Sequence, residues 1–425
     1  MSFPFEWNSY ADQPHNVAPR KERLRHHLRH AGSYFRLLSS NMKRAVPMWF
    51  LYRKYRAKMY EQPVRIQDPF SLSVSPMEGR NDDIMALLDE MGIQKVLMRV
   101  PSWEMKNLRR HEMFAKLLFS HDKEVSLALL QNREDVLDSS RWKDFLEDVF
   151  SRFHSFSSYV EIGHAWNRTK WGVWDYREYL NLARPAVFLA GTYKVKTIGP
   201  AVIDFEFHLY PPVLDEVSFD KVSSLLYVDR TGAPERKQFG WDTPRKAALL
   251  KAVVDGTLGR TQDLWITEVN WPLKGTGKYS PAAGKPNVTE EEQADYLVRY
   301  YLLCVSSGFV QRIYWWQLVA PGYGLVDSRE RQWRRRPSFH AMKTMMAHLR
   351  GSLFKKRIPH PQAEIFLFSK EGEDFAVCWT KGQPVAYCFP RGVSHVVSRN
   401  GEEMVPPTDR ILIDQSPKYV YFGEG

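Results

Sequence analysis

Eight times between about residues 66 and 350, a short apolar, β-rich run is followed by a longer amphipathic stretch, and this alternation limits the fold more than any other feature of the chain. The runs read as strands at 70–74, 95–100, 125–130, 159–163, 197–205, 223–228, 264–267 and 312–316. Helices are expected over 82–91, 108–119, 142–154, 176–190, a short piece near Pro212, then 244–255, 290–306 and 338–349. Strands apolar on both faces, joined by helical crossovers, predict a parallel sheet covered by helices, and eight such units predict an α/β (β/α)8 TIM barrel. A doubly wound open sheet is the rival, but it announces itself with a Gly-rich phosphate loop after its first strand. Ser75-Pro-Met-Glu-Gly79 is not such a loop.

Beyond Gly351 the texture changes to short β-rich runs separated by turn signals such as Lys381-Gly382 and Asn400-Gly401. The expected division is a helical extension over 1–62, a barrel over 63–350 and a small antiparallel β-domain, sandwich-like, over 351–425.

The formal charge of +11 is concentrated at the N-terminus: residues 1–60 hold 12 Lys/Arg against 3 Asp/Glu, and the rest of the chain holds 48 against 46. Leu24, Leu28, Ala31, Phe35, Leu38 and Met42 recur at helical spacing among basic residues, and Pro47 is expected to stop or bend this helix. A basic amphipathic segment over residues 20–58 suits an anionic membrane surface or an acidic protein partner. The plainer alternative docks the apolar stripe on the barrel and leaves the charges in water. Nucleic acid is not expected, because no binding motif occurs and the body is nearly neutral.

Met-Ser-Phe-Pro-Phe-Glu-Trp at the start lacks the features of a secretory leader, and no segment approaches the length needed to span a bilayer. Cys304, Cys378 and Cys388 offer neither a disulfide framework nor C-x-x-C spacing. A cytoplasmic protein is expected, peripheral on the inner membrane face if the basic helix binds there. No metal-ligand spacing, Walker loop or Gly-x-Ser-x-Gly elbow occurs, so neither metal nor cofactor is expected.

Barrel chemistry sits at the C-terminal strand tips. Strand seven ends in Glu268, and a buried carboxylate there is costly unless something neutralises or uses it. Arg99 on strand two and Tyr227 on strand six can hydrogen-bond it and keep it ionised. A retaining glycosidase needs such a carboxylate as nucleophile, about 5 Å from a second carboxyl group that serves as acid and then base. Trp171, Trp174, Trp241 and Trp271 stand in expected top loops and are candidate sugar platforms, though any single Trp is more often a packing residue.

Strands four and seven resemble those of the clan A glycoside hydrolases, in pattern the xylosidase and iduronidase type. There strand four reads Glu-Ile-Trp-Asn-Glu-Pro-Asn and strand seven ends Thr-Glu. This chain has Glu161-Ile-Gly-His164-Ala165-Trp166-Asn167 and Thr267-Glu268. Arg99, Tyr227 and Trp315 match that clan's strand-two arginine, strand-six tyrosine and strand-eight tryptophan, and Gly324-Leu-Val-Asp327 with Arg336-Pro-Ser-Phe-His-Ala341 resembles its closing loop and helix. The resemblance spans residues 66–425. It implies retaining hydrolysis or transfer of a glycosidic bond, with Glu268 as nucleophile and Arg99, Asn167, Tyr227 and Trp315 around a carbohydrate substrate. Trp271 joins them from its loop, and Glu161, on the same side of its strand as Ala165 but deeper, is expected to order their network.

The departure is at Ala165, where the clan carries its acid/base glutamate. General acid catalysis is worth about 10²- to 10⁴-fold. Glu206 or Asp204 after strand five is a candidate displaced acid, His164 a second candidate, and a substrate with a good leaving group, such as a glycosyl phosphate, needs none. The alternative is a barrel that has lost hydrolysis and binds glycan during assembly of a surface polysaccharide or lipid-linked glycan. A weaker third reading is a scaffold for an acidic partner.

Overall fold

The computed structural model describes residues 5–15, 19–229, 231–280, 287–406, 408 and 410–423. Eight parallel strands close into a barrel: β1 (Phe70–Val74), β2 (Lys95–Pro101), β3 (Glu124–Leu130), β4 (Tyr159–Ile162), β5 (Lys196–Ile203), β6 (Lys221–Leu225), β7 (Leu264–Val269) and β8 (Val310–Trp315). Each pairs with its sequence neighbours and β8 closes on β1 through Ile313 opposite Phe70. Period-two alternation divides their side chains. Leu97, Ala128, Ile198, Leu225, Trp265 and Tyr314 fill the barrel interior, whereas Val96, Leu127, Ile266 and Ile313 face the surrounding helices. The (β/α)8 expectation therefore holds. Boundaries differ by a few residues, and Tyr227 lies two residues beyond β6 rather than on it.

The β-rich tail forms a seven-stranded antiparallel sheet, in which Val64–Arg65 adds to the edge strand Leu353–Ile358, and a separate two-stranded ladder, Val385–Cys388 with Arg410–Ile413. One face of the sheet, with Ile365, Cys378 and Val420, makes its own core. The other lays Phe366, Phe368 and Trp379 on the barrel. There the Trp379 indole N–H donates to Glu235 at 2.6 Å, and Glu235 pairs with the buried Arg299 of the helix Glu290–Val305. The three cysteines are unpaired.

Ahead of the barrel, α1 (Arg20–Arg29) leads into α2 (Ala31–Lys58), which runs on through Pro47. Its docked side carries Ser33, Met48 and Tyr52, packed on the helices Tyr210–Leu214 and Thr243–Leu258. This corrects the plainer expectation for the extension: Leu24, Leu28, Phe35, Leu38 and Met42 point to solvent. The helix has two apolar faces, and the barrel took the other one. No helix among the described residues is long and apolar enough to cross a membrane. Before α1, Trp7–Asn8 pairs with Gln13–Pro14 in a hairpin that sits over the barrel mouth.

Candidate active site at the barrel mouth

The carboxylate of Glu268 is turned inward by an irregularity in β7. Trp265 faces the interior and Ile266 the helices, and between Ile266 and Val269 the register with β8 shifts, so that Glu268 joins the interior set. Such a bulge re-aims one side chain without ending the strand. Arg99 of β2 donates to Oε2, and the Tyr227 hydroxyl donates to Oε1 at 2.6 Å. The carboxylate also borders a cavity of about 510 Å³ that opens beside it. The pairing with Arg99 therefore leaves it reachable from the mouth.

His164 follows β4 and is pinned through its backbone. Gln131 accepts from its N–H at 2.9 Å and donates to its carbonyl at 3.0 Å. The ring Nε2 accepts from Arg99 at 3.0 Å and lies 3.4 Å from Glu268 Oε2. Arginine can only donate, so the ring proton sits on Nδ1, which has no partner among the described residues. Burial, with Arg99 and Lys170 adding to it, holds the imidazole well below its usual range. Ala165, with φ 41°, lines the cavity next to it.

Below the mouth, Glu161 is fully buried beside Thr267 and Ser223. Burial pushes its carboxyl up to about 7, and the charge of Glu268 adds to the shift. It lies outside the cavity wall, deeper in the barrel.

Several expected residues stand elsewhere. Trp315 faces outward, stacked on Trp271 at 5.8 Å, and both are fully buried away from the cavity. Alternation along β8 explains it: Arg312 and Tyr314 turn inward, Trp315 outward, and the next residue, Trp316, inward again. Trp316 lines the cavity and stacks under the Arg99 guanidinium, 3.3 Å from its ring centroid. Asn167 clamps Ile203 of β5 through both backbone groups and donates to Glu206, and neither Asn167 nor Glu206 lines the cavity. Glu206 and Asp204 share Arg168, with Asp204 at 2.6 Å and on the cavity wall. Of the four loop tryptophans only Trp171 lines it, edge-on to His164 at 4.5 Å. Trp174 packs under Arg133, and Trp241 against Tyr52 and Phe205.

One component had no counterpart in the sequence reading. The hairpin delivers Asp12 to the cavity wall, where it is half-buried. Its Oδ2 accepts from the Tyr323 hydroxyl at 2.6 Å and from Gln317 at 3.0 Å, and its carbonyl accepts from Arg99. Burial raises the carboxyl against the pull of Tyr323, Arg99 and Gln317, and Glu268 adds to the rise. Trp7 anchors the hairpin on Trp103 and Trp171 at 5.1 and 6.0 Å. Nothing in the order Trp7–Gln13 signals this, because its partners lie far along the chain.

Away from the cavity, His26, His30 and Asp175 gather with ligand-type atoms within 4.8 Å of one another. The sequence reading named no metal ligands. The two histidines are one helical turn apart, but Asp175 joins them only through the fold.

No protein-family model matches the sequence, and no curated protein matches it. Among solved structures, a family 39 glycoside hydrolase from Bacteroides cellulosilyticus WH2 superposes with a TM-score of 0.64 at 15% identity, over 84% of this chain and 81% of that one. The chain shares its fold with solved glycoside hydrolases. A GH30 endoxylanase from Clostridium papyrosolvens C71 gives 0.58 at 13% identity, over 86% of this chain and 98% of that one. A GH51 arabinofuranosidase from Xanthomonas axonopodis pv. citri gives 0.58 at 12%, over 85% and 98%.

Proposed function

We propose that this protein binds a glycan at the barrel mouth and cleaves or transfers a glycosidic bond with retention, Glu268 acting as the nucleophile. The observation that carries the reading is an inward carboxylate at the tip of β7, gripped by Arg99 and Tyr227 and bordering an open cavity walled by Trp171 and Trp316. The two donors hold the carboxylate without covering it, and Trp171 and Trp316 wall the space that a sugar ring would enter. The glycoside hydrolases that share the fold support the substrate class.

Asp12 takes the place of the carboxyl group that Ala165 lacks. In this mechanism Glu268 attacks the anomeric carbon, and the departing oxygen takes a proton from Asp12. Water then attacks the glycosyl ester, gives its proton to Asp12 and frees Glu268. His164, neutral and bonded to Arg99, orients the guanidinium–carboxylate pair. Arg168 holds Asp204 and Glu206 as a charged rim rather than as the acid.

The test is a 2-fluoro glycoside with an activated leaving group, followed by mass spectrometry of the labelled peptide. Covalent sugar on Glu268 supports the mechanism. Sugar-induced thermal stabilisation with no label and no turnover, both before and after Ala165→Glu, supports the second reading instead. That reading is a non-catalytic glycan-binding barrel serving surface-glycan assembly, and Ala165 is what favours it. A cytoplasmic, membrane-peripheral placement belongs to the same proposal.

A further inference from the structure

The outward stripe of α1 and α2 is longer than its docked one. Phe35, Leu38, Met42, Val46 and Phe50 recur every three or four residues, Leu28 stands seven residues before them, and all six are between 53 and 74% exposed. Single exposed apolar side chains are ordinary, but six large ones along one line form an unpartnered apolar face. Turning 3.6 residues per turn, Arg25, Arg29, Arg36, Lys43 and Lys54 fall together on one flank of this line, and all are exposed. Glu22 is the one acidic residue between positions 20 and 58, against 12 Lys/Arg. Arg44, on the docked side, is already paired with Asp215.

We infer that this face lies on an anionic lipid bilayer. The apolar stripe would enter the boundary between headgroups and acyl chains, while the basic flank meets lipid phosphates. The charge pattern selects this occupant over a second copy of the chain, because a two-fold contact would bring together two copies of a segment with 12 Lys/Arg and one acidic residue. The inference is independent of the glycan chemistry, since it involves no residue of the cavity.

The test is sedimentation of the full chain with phosphatidylcholine vesicles, with and without phosphatidylglycerol. The protein is expected to pellet with the anionic vesicles and to stay in solution with the neutral ones. Affinity should fall about fivefold for each flank residue changed to Ala. A chain carrying Phe35→Ser, Met42→Ser and Phe50→Ser together should remain in solution with both, at an unchanged Tm because these side chains are exposed. Three results overturn the inference: no pelleting of the wild-type chain with either vesicle, equal pelleting of the triple variant, or a solution dimer that the triple variant dissolves without vesicle binding.

Discussion

Both oxygens of Glu268 are occupied, one by a guanidinium and one by a phenol, so its reactivity depends on neighbours that hold it without covering it. Asp12→Asn tests the proposed proton donor separately from the proposed nucleophile. Rates on glycosides with poor leaving groups should fall about 10²- to 10⁴-fold, with little change on dinitrophenyl glycosides, in a leaving-group series. Glu161 yields a pH prediction. Its folded carboxyl titrates near 7, above its ordinary 4.5, so folding retains its proton. The contribution to stability is full below about pH 4.5, declines as pH rises through 7, and amounts to on the order of 3 kcal/mol. Glu161→Gln should flatten the loss of Tm between pH 5 and about 8, and an unchanged slope would refute this. At this scale the sequence exposed what strand tips dictate: Glu268, Arg99 and His164 meet as expected, with Tyr227 just past its strand. Trp315 was a miss by one position, because a strand reverses sides at every residue. Glu206 and Asn167 stand off the cavity wall because Asn167, after β4, ties its loop to Ile203 of β5 and to Glu206 beyond it.

Among elements, the barrel strands were legible because each is a short β-rich run set off by a stretch of helical spacing. The hairpin was not, since two residues per strand carry no periodicity and its contacts are aromatic neighbours from distant loops. Trp7→Ala removes its anchor and should weaken hairpin closure by about 1–3 kcal/mol. Limited proteolysis should then cut near residues 5–15 sooner, and glycoside rates should drop as they do for Asp12→Asn. The two changes combined should be no worse than the second alone, because both act by taking the same carboxyl group away. For α2 the stripe was legible as helical, but whether it or another face would dock was not: a helix apolar on two sides gives no local sign of which one the barrel will cover.

At the scale of the whole molecule, Trp379 reaches from the sheet to a buried ion pair of the barrel, Glu235 with Arg299, and Arg399 reaches from the β-domain to Glu291 and Asp295. Glu235→Ala leaves a guanidinium buried without its counter-charge and should cost about 3–5 kcal/mol, read from the urea midpoint. Loss of a single cooperative transition is not expected, because Phe366 and Phe368 remain packed on the barrel. The architecture could be read from the sequence because it repeats; the joint between its parts could not, since its contacts join residues separated by long stretches of chain. The placement of Asp12 carries a practical consequence for anyone who shortens this protein. Trimming away the greasy leading helices also strips the mouth of its roof and of one acidic group, so a truncated chain that shows no turnover says nothing about lipid. Only point changes on the outer helix surface keep those two questions apart.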